Sequence, residues 1–284
     1  MTSVHRRGAL ATGLAAGVSA LAAPARAAGF DFDLSKTVDV YRAYTRMRGG
    51  GDGVMGLWWY TGNVWMQTPD QLAKLVLNID GFSFQKLTMQ PDGSMIQLMS
   101  EAGYFKNPAT GAIADTWTNP YNGETCRPRH YKSMQTIVAT PDGGLRGKED
   151  GRMSQREFEG TIGPAAVNGD GLWIPENFAT KFMIPKRANV DPLEDVGDSL
   201  NATSLATFAA RLSDVQNKDL AFVPCTLNFQ TMNGWLPWMR MGRAPGWQSW
   251  QLYGHKVASV DAIQPALRAR FEKDYPGWLA NPGI

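Results

Sequence analysis

The sequence predicts a mainly β protein, an antiparallel barrel with a few flanking helices. Three observations predict it. Turn signals recur through the first half of the chain, the segments between them have strand composition, and only three stretches carry a helical apolar period. Each turn signal has a mechanism. In Pro91-Asp92-Gly93 and Pro141-Asp142-Gly143 the proline presets φ, the aspartate bonds its own backbone and the glycine supplies positive φ. Between them lie two near-copies, Asn107-Pro108-Ala109-Thr110-Gly111 and Asn119-Pro120-Tyr121-Asn122-Gly123. Their spacing leaves room for one short strand, about Ala112 to Thr118. Many short strands at such intervals argue for a sandwich or barrel.

In chain order, Thr2 to Ala28 reads as an export signal. His5-Arg6-Arg7 is a basic start, Gly8 to Ala25 carries no charge, and Ala25-Arg26-Ala27 is a small-x-small cleavage site. Arg6-Arg7 resembles the bacterial twin-arginine signal, although Gly8-Ala9 departs from its usual pattern. Residues 1–27 are therefore expected to be removed, leaving 28–284 as one exported domain, periplasmic or secreted. A first helix follows, capped by Ser35, with Val40, Tyr41, Tyr44 and Met47 on one face and Gly49-Gly50-Gly51 stopping it. Strands are expected over Gly56–Gln67, Leu75–Met89, Ser94–Phe105, Glu124–Ala139, Met153–Ile162, Leu220–Met232 and Trp247–Val257, within a total of about eight to ten. A second helix is expected at Ser204–Asp214 on the spacing of Leu205, Phe208 and Leu212. A third starts near Ser259, with Ile263, Leu267 and Phe271 on one face, and ends before Pro276.

Charge and composition exclude several classes of function. The full chain has 28 Lys+Arg against 26 Asp+Glu, but the signal holds Arg6, Arg7 and Arg26 and no acidic residue. The mature domain is thus nearly neutral, and neither a nucleic acid nor another polyanion is an expected partner. Leu220 to Met239 is uncharged but interrupted by Pro224, Asn228, Gln230, Asn233 and Pro237, so no stable membrane span is expected after signal removal. Gly51-Asp52-Gly53-Val54-Met55-Gly56 matches a dinucleotide pattern in the wrong context, after a helix and before a strand, and reads as a loop. No cofactor is expected. With only His130 and His255 in the mature chain, a catalytic zinc set has too few ligands to be expected. Cys126 and Cys225 form no CxxC motif, and in an oxidising compartment they are available for one disulfide.

Groups able to do chemistry concentrate in three places. Trp58-Trp59-Tyr60 lies on a strand, where alternation sends Trp58 and Tyr60 to one face and Trp59 to the other. In Cys126-Arg127-Pro128-Arg129-His130-Tyr131, alternation puts Cys126 and His130 on one face and Arg127, Arg129 and Tyr131 on the other. A neutral imidazole there suits acid/base work near neutral pH. Gly234-Trp235-Leu236-Pro237-Trp238-Met239-Arg240-Met241-Gly242 is an apolar loop able to close one end of a barrel over a ligand.

Glu101-Ala102-Gly103-Tyr104-Phe105, Thr110-Gly111, Thr116-Trp117, Asn119-Pro120, Gly123-Glu124 and His130 make one recognisable stretch. Trp235-Leu236-Pro237-Trp238-Met239, Met241-Gly242 and Pro245-Gly246 make a second, and Trp58-Trp59-Tyr60-x-Gly62 a third. Together they resemble the family known as domain of unknown function 1838, from about Leu34 to the C-terminal helix. The resemblance implies a single exported domain, often with a twin-arginine-type signal, and brings no activity or catalytic residues.

The fold expected is a calycin- or lipocalin-like barrel, which often holds one small apolar ligand. The leading expectation is binding or processing of a small hydrophobic or aromatic molecule, with Trp58, Trp59, Tyr60, Trp117, Trp235 and Trp238 as ligand-binding candidates. A second is a lyase or isomerase without organic cofactor, using His130 as acid/base with Tyr131, Tyr104, Glu101 or His255 assisting. A third is an exported structural or interaction protein. The export machinery is the one expected protein partner.

Overall fold

Alternating burial along the strands closes this chain on itself. The computed structural model describes residues 30–151, 155–185 and 188–284. The export signal expected at 1–27 lies outside them. Helix α1 (Thr37–Arg48) comes first, followed by strands β1 (Met55–Gln67), β2 (Lys74–Met89) and β3 (Met95–Lys106). A two-residue pair, β4 (Trp117–Thr118) and β5 (Thr125–Cys126), precedes β6 (Tyr131–Ala139), β7 (Gly144–Gly151) and β8 (Gln155–Ile162). Then come β9 (Ala166–Asn168), β10 (Gly171–Met183), β11 (Ser199–Arg211), the short α2 (Leu212–Gln216), β12 (Thr226–Asn233), β13 (Trp247–Val257) and α3 (Pro265–Asp274).

The large sheet runs β11-β12-β13-β1-β2-β3-β6-β7-β8-β10, all antiparallel, and β10 pairs back to β11 from Gly171↔Arg211 to Met183↔Ser199. Ten strands therefore form a closed barrel, as the fold class expected, and closure removes the open edges of a sheet. β1 shows the required pattern, with every second residue from Gly56 to Met66 buried. The turns form as their sequences require. Gly93 and Gly143 have φ of 83° and 86°, and the Asp92 and Asp142 carboxylates accept from Ser94 and Gly144 backbone N–H. The near-copies fold alike, with Gly111 and Gly123 N–H donating to the Asn107 and Asn119 carbonyls. Of the strand expected between them, only β4 forms.

Two expectations are corrected. Ser204–Asp214 is not a helix. Ser199–Arg211 is β11, with Leu200, Ala202, Ser204, Ala206 and Phe208 inward and Leu205 half exposed, and only the five residues of α2 follow. Leu205 and Phe208 match a helical spacing, but period-two burial prevails, and inward Phe208 packs against Tyr44 and Arg48 of α1. Ser35 does not cap α1. Lys36 stands at that position without a side-chain cap bond, and the Ser35 hydroxyl donates to Asp33 Oδ1 at 2.6 Å. Cys126 and Cys225 are free thiols in separate core clusters, so no disulfide joins them.

Strand β10 is masked in the sequence by Pro175, which stands where the β8 ladder ends at Glu176↔Ile162 and whose carbonyl accepts from the Gly163 N–H. Helix α1 stoppers one end of the barrel with Val40, Tyr41, Ala43, Tyr44 and Met47 buried against Trp58, Phe158, Ile174 and Phe208. Lys256 of β13 anchors its last turn, donating to the Gly49 carbonyl at 2.6 Å, where a cation meets the negative end of the helix dipole. The loop around Trp235–Met241 packs with Val64, Met66, Leu77 and Phe105 toward the other end. Helix α3 and the residues after it lie outside, over Phe82, Phe84 and Tyr104 of β2 and β3.

Candidate functional site

Inside the barrel is a cavity of about 720 Å³. Its lining is mainly apolar. Trp58, Phe158, Phe178, Phe208 and Phe229 form much of the wall, and Leu236, Pro237 and Trp238 of the loop after β12 lie at one side. Into this surface the strands place a few polar groups at defined points.

One is an ion pair. Arg48, from the last turn of α1, meets Glu176 of β10, and both side chains are almost fully buried. Arg48 Nη1 also donates to the Tyr44 hydroxyl at 2.7 Å, Nε donates to Gln97 Oε1 at 2.5 Å, and the Tyr44 hydroxyl donates to Glu176 Oε1. The guanidinium sits 5.1 Å from the Phe208 ring centroid. Each charge therefore has a partner and added hydrogen bonds, the condition under which a buried pair is tolerated. Burial drives the Tyr44 hydroxyl well above the usual phenol range, so it stays a donor.

A second feature spans four strands. Tyr60 of β1 pairs with Gly81 of β2, Gly81 with Gly103 of β3, and Gly103 with Tyr131 of β6. The two rings fold inward over the two glycines, and the hydroxyls of Tyr60 and Tyr131 hydrogen-bond to each other. A Cβ at Gly81 would lie 2.3 Å from Tyr60 Cζ, and one at Gly103 2.5 Å from Tyr131 Cζ, so the arrangement needs glycine at both places. Burial holds the Tyr60 phenol well above its ordinary value. One strand position further on, Glu101 accepts from Ser133 Oγ at 3.1 Å and Gln135 Nε2 at 2.8 Å.

His130 also lines the cavity. Its Nδ1 accepts from the Phe105 backbone N–H at 3.2 Å, which leaves the proton of the neutral ring on Nε2. Nε2 is buried without a hydrogen bond among the described residues, and Asp115 Oδ1, at 3.8 Å, is too far to accept one. Burial, with the Arg270 charge, lowers the imidazole below its ordinary range and favours the neutral form. The expected alternation through this stretch fails because β6 begins only at Tyr131; His130 and Tyr131 both line the cavity, His130 with its ring against Tyr104 of the outer face.

Of the residues the sequence singled out, the cavity collects Trp58, Tyr60, Glu101, His130, Tyr131 and Trp238. Trp59 points out of the barrel onto exposed His255, with ring centroids 5.2 Å apart. Tyr104 is on the outer face as well, donating to Asp274 Oδ2 at 3.0 Å under α3. Trp117 packs edge-on against Trp238 from outside the barrel. Trp235 is buried in the cap loop, donating to the Ala244 carbonyl at 2.7 Å. Among the described residues, no group of three or more His, Cys, Asp and Glu is placed to hold a metal ion, and no helix is long and apolar enough to cross a membrane. Sequence reasoning missed Arg48 and Glu176. Tyr44 and Arg48 are four apart on the buried face of α1, and Glu176 is the lone carboxylate between Leu172 and Phe182. A charge on an apolar face is the signal that could have found both.

The family model described as a protein of unknown function, DUF1838, matches residues 54–135 and 166–283. The chain belongs to this DUF1838 family. The two matched stretches supply Trp58, Tyr60, Glu101, His130, Tyr131, Glu176 and Trp238, whereas α1 and Arg48 precede them. No curated protein matches the chain. Among solved structures it is similar to the crystal structure of Rv2717c from M. tuberculosis, with 10% sequence identity, a TM-score of 0.33, and coverage of 77% of this chain and 98% of that one.

Proposed function

We propose that this DUF1838 protein binds a small, largely apolar molecule of aromatic size inside its barrel. The observation that carries the reading is the cavity of about 720 Å³ with aromatic walls and a few fixed polar groups. Small-molecule sites fall in a range of roughly 300–1,000 Å³ and share that composition, whereas a barrel that served only as a scaffold would be filled by its own side chains. Binding is favoured over acid/base catalysis by His130, because the Phe105 backbone N–H occupies the Nδ1 lone pair and the proton sits on Nε2, which leaves the ring no free basic nitrogen.

Titration with naphthalene derivatives, followed by tryptophan fluorescence and by thermal shift, tests the proposal. Trp58 in the wall is expected to report occupancy. Ala206 lines the cavity and is buried, so Ala206→Phe is expected to narrow it and weaken binding, most for the bulkiest derivatives, while the barrel stays folded. Equal binding by wild type and Ala206→Phe would sink the reading.

Export through the twin-arginine route is part of the same proposal and rests on Arg6-Arg7 and the uncharged run to Ala25. In a bacterial host, Arg6→Lys/Arg7→Lys is expected to leave the precursor inside the cell. Fractionation showing unchanged export of that variant would point to the general secretory route.

A further inference from the structure

The ion pair on the cavity wall is satisfied on one side only. Arg48 uses Nε and Nη1 within the protein, and Glu176 uses Oε1. Arg48 Nη2 and Glu176 Oε2 make no hydrogen bond among the described residues, yet neither belongs with the sealed unpartnered atoms, which are His130 Nε2 and Trp238 Nε1. Both residues line the cavity, and the small exposure each keeps, 7% and 4% of the side chain, opens onto it. The cavity thus presents a guanidinium donor beside a carboxylate acceptor, set among Trp58, Phe178 and Phe208.

We propose that this donor–acceptor edge selects ligands with a neutral carboxamide or lactam group on an aromatic body. Arg48 Nη2–H would donate to the ligand carbonyl oxygen, and Glu176 Oε2 would accept its N–H. The inference rests on the binding function proposed above and narrows it to one chemical class. Charge decides against the ionic alternatives. At this edge the pair is already neutral as a unit, so a ligand carboxylate placed there would meet Glu176 and a ligand ammonium would meet Arg48, each adding a charge the pair does not compensate, while the other charged lining residues, Glu101, Arg129 and Lys132, belong to β3, β6 and the segment before it. An ester supplies the acceptor alone and leaves Oε2 without a partner, and an unmatched buried polar group is costly.

The test compares 2-naphthamide, methyl 2-naphthoate, sodium 2-naphthoate and naphthalene, titrated against wild type and Arg48→Met/Glu176→Leu by tryptophan fluorescence and calorimetry. Replacing both charges together avoids stranding one of them. The amide is expected to bind wild type about tenfold or more tighter than the ester, and the carboxylate weakest of all. In the double variant the amide preference is expected to vanish while naphthalene still binds. If that variant does not fold, nuclear Overhauser contacts in wild type from the amide protons of 2-naphthamide to the rings of Tyr44 and Trp58 localise the group instead. Equal affinity for amide and ester, an amide preference that survives the double variant, or the absence of those contacts would overturn the edge and leave the cavity reading intact. Failure of all four compounds to bind would overturn both.

Discussion

Glycines 81 and 103 fix where two tyrosine rings can lie. Each ring occupies the space a Cβ would need, so Gly103→Ala must push Tyr131 aside and break its hydrogen bond with Tyr60. Overpacking of this kind costs about 1–3 kcal/mol, and urea unfolding is expected to show it. Adding Tyr131→Leu should recover part of the loss, since the clash and the ring are removed together. His130 gives a pH dependence of definite sign. Burial holds the folded ring's pKa below the ordinary 6.5, so as pH falls through that value the unfolded chain takes up the proton first and stability is lost. Wild type should therefore lose more stability between pH 7.5 and 5.5 than His130→Asn, as read from urea midpoints. At this scale the sequence was partly legible. Trp58 and Tyr60 follow from alternation on a strand, but His130 and Tyr131 both line the cavity because the strand starts between them and alternation does not reach His130.

Elements show the same division. Helix α1 follows from its apolar face, and Met47, fully buried, is expected to cost about 2–5 kcal/mol when truncated to alanine, measured by denaturant unfolding. The β13 expectation matches its strand residue for residue, from Trp247 to Val257, where Trp247, Trp250 and Tyr253 give the segment strand composition directly after Gly246. β11 carries a helical signal because Leu205, Phe208 and Leu212 match a helical spacing and its alanines are good helix formers, yet it pairs with the strands on either side of it in sequence. β10 was missed because its proline and its carboxylate both contradict a buried strand until the neighbouring ladder and Arg48 are known. The cap loop is held by long-range charge. Arg240 reaches Glu124 and Asp191, each at 2.9 Å, tying the loop to the β4–β5 pair and to residues 191–195. Its φ of 55° is unusual for a residue other than glycine, so the ion pairs hold a conformation the backbone disfavours. Arg240→Gly removes those ion pairs and is expected to speed proteolytic cleavage within 234–246, checked by mapping the first cuts.

At the scale of the molecule, a closed barrel ordinarily shows a polar outside, yet Phe82, Phe84 and Tyr104 all point outward. The C-terminal segment covers them. Trp278 donates to Ser100 Oγ at 2.9 Å, and Arg270 clasps Asp115 and Asp274 at 2.8 and 2.6 Å. Ending the chain at Ser259 is expected to expose this wall, raise binding of a hydrophobic dye and promote aggregation. The barrel class is legible from turns and strand composition, whereas its closure is not, because β10 and β11 do not read as strands and the β1–β13 seam joins opposite ends of the chain, a non-local pairing that leaves no local periodic signal. The seam between β1 and β13 brings the two ends of the barrel strand sequence together, Leu57 directly opposite Val257 in an antiparallel ladder. A pull on the two chain ends, once α1 and α3 have peeled away, would load the hydrogen bonds of that seam one pair at a time, beginning at Leu57 and Val257, so a barrel that resists heat through closure would open under modest force like a zip.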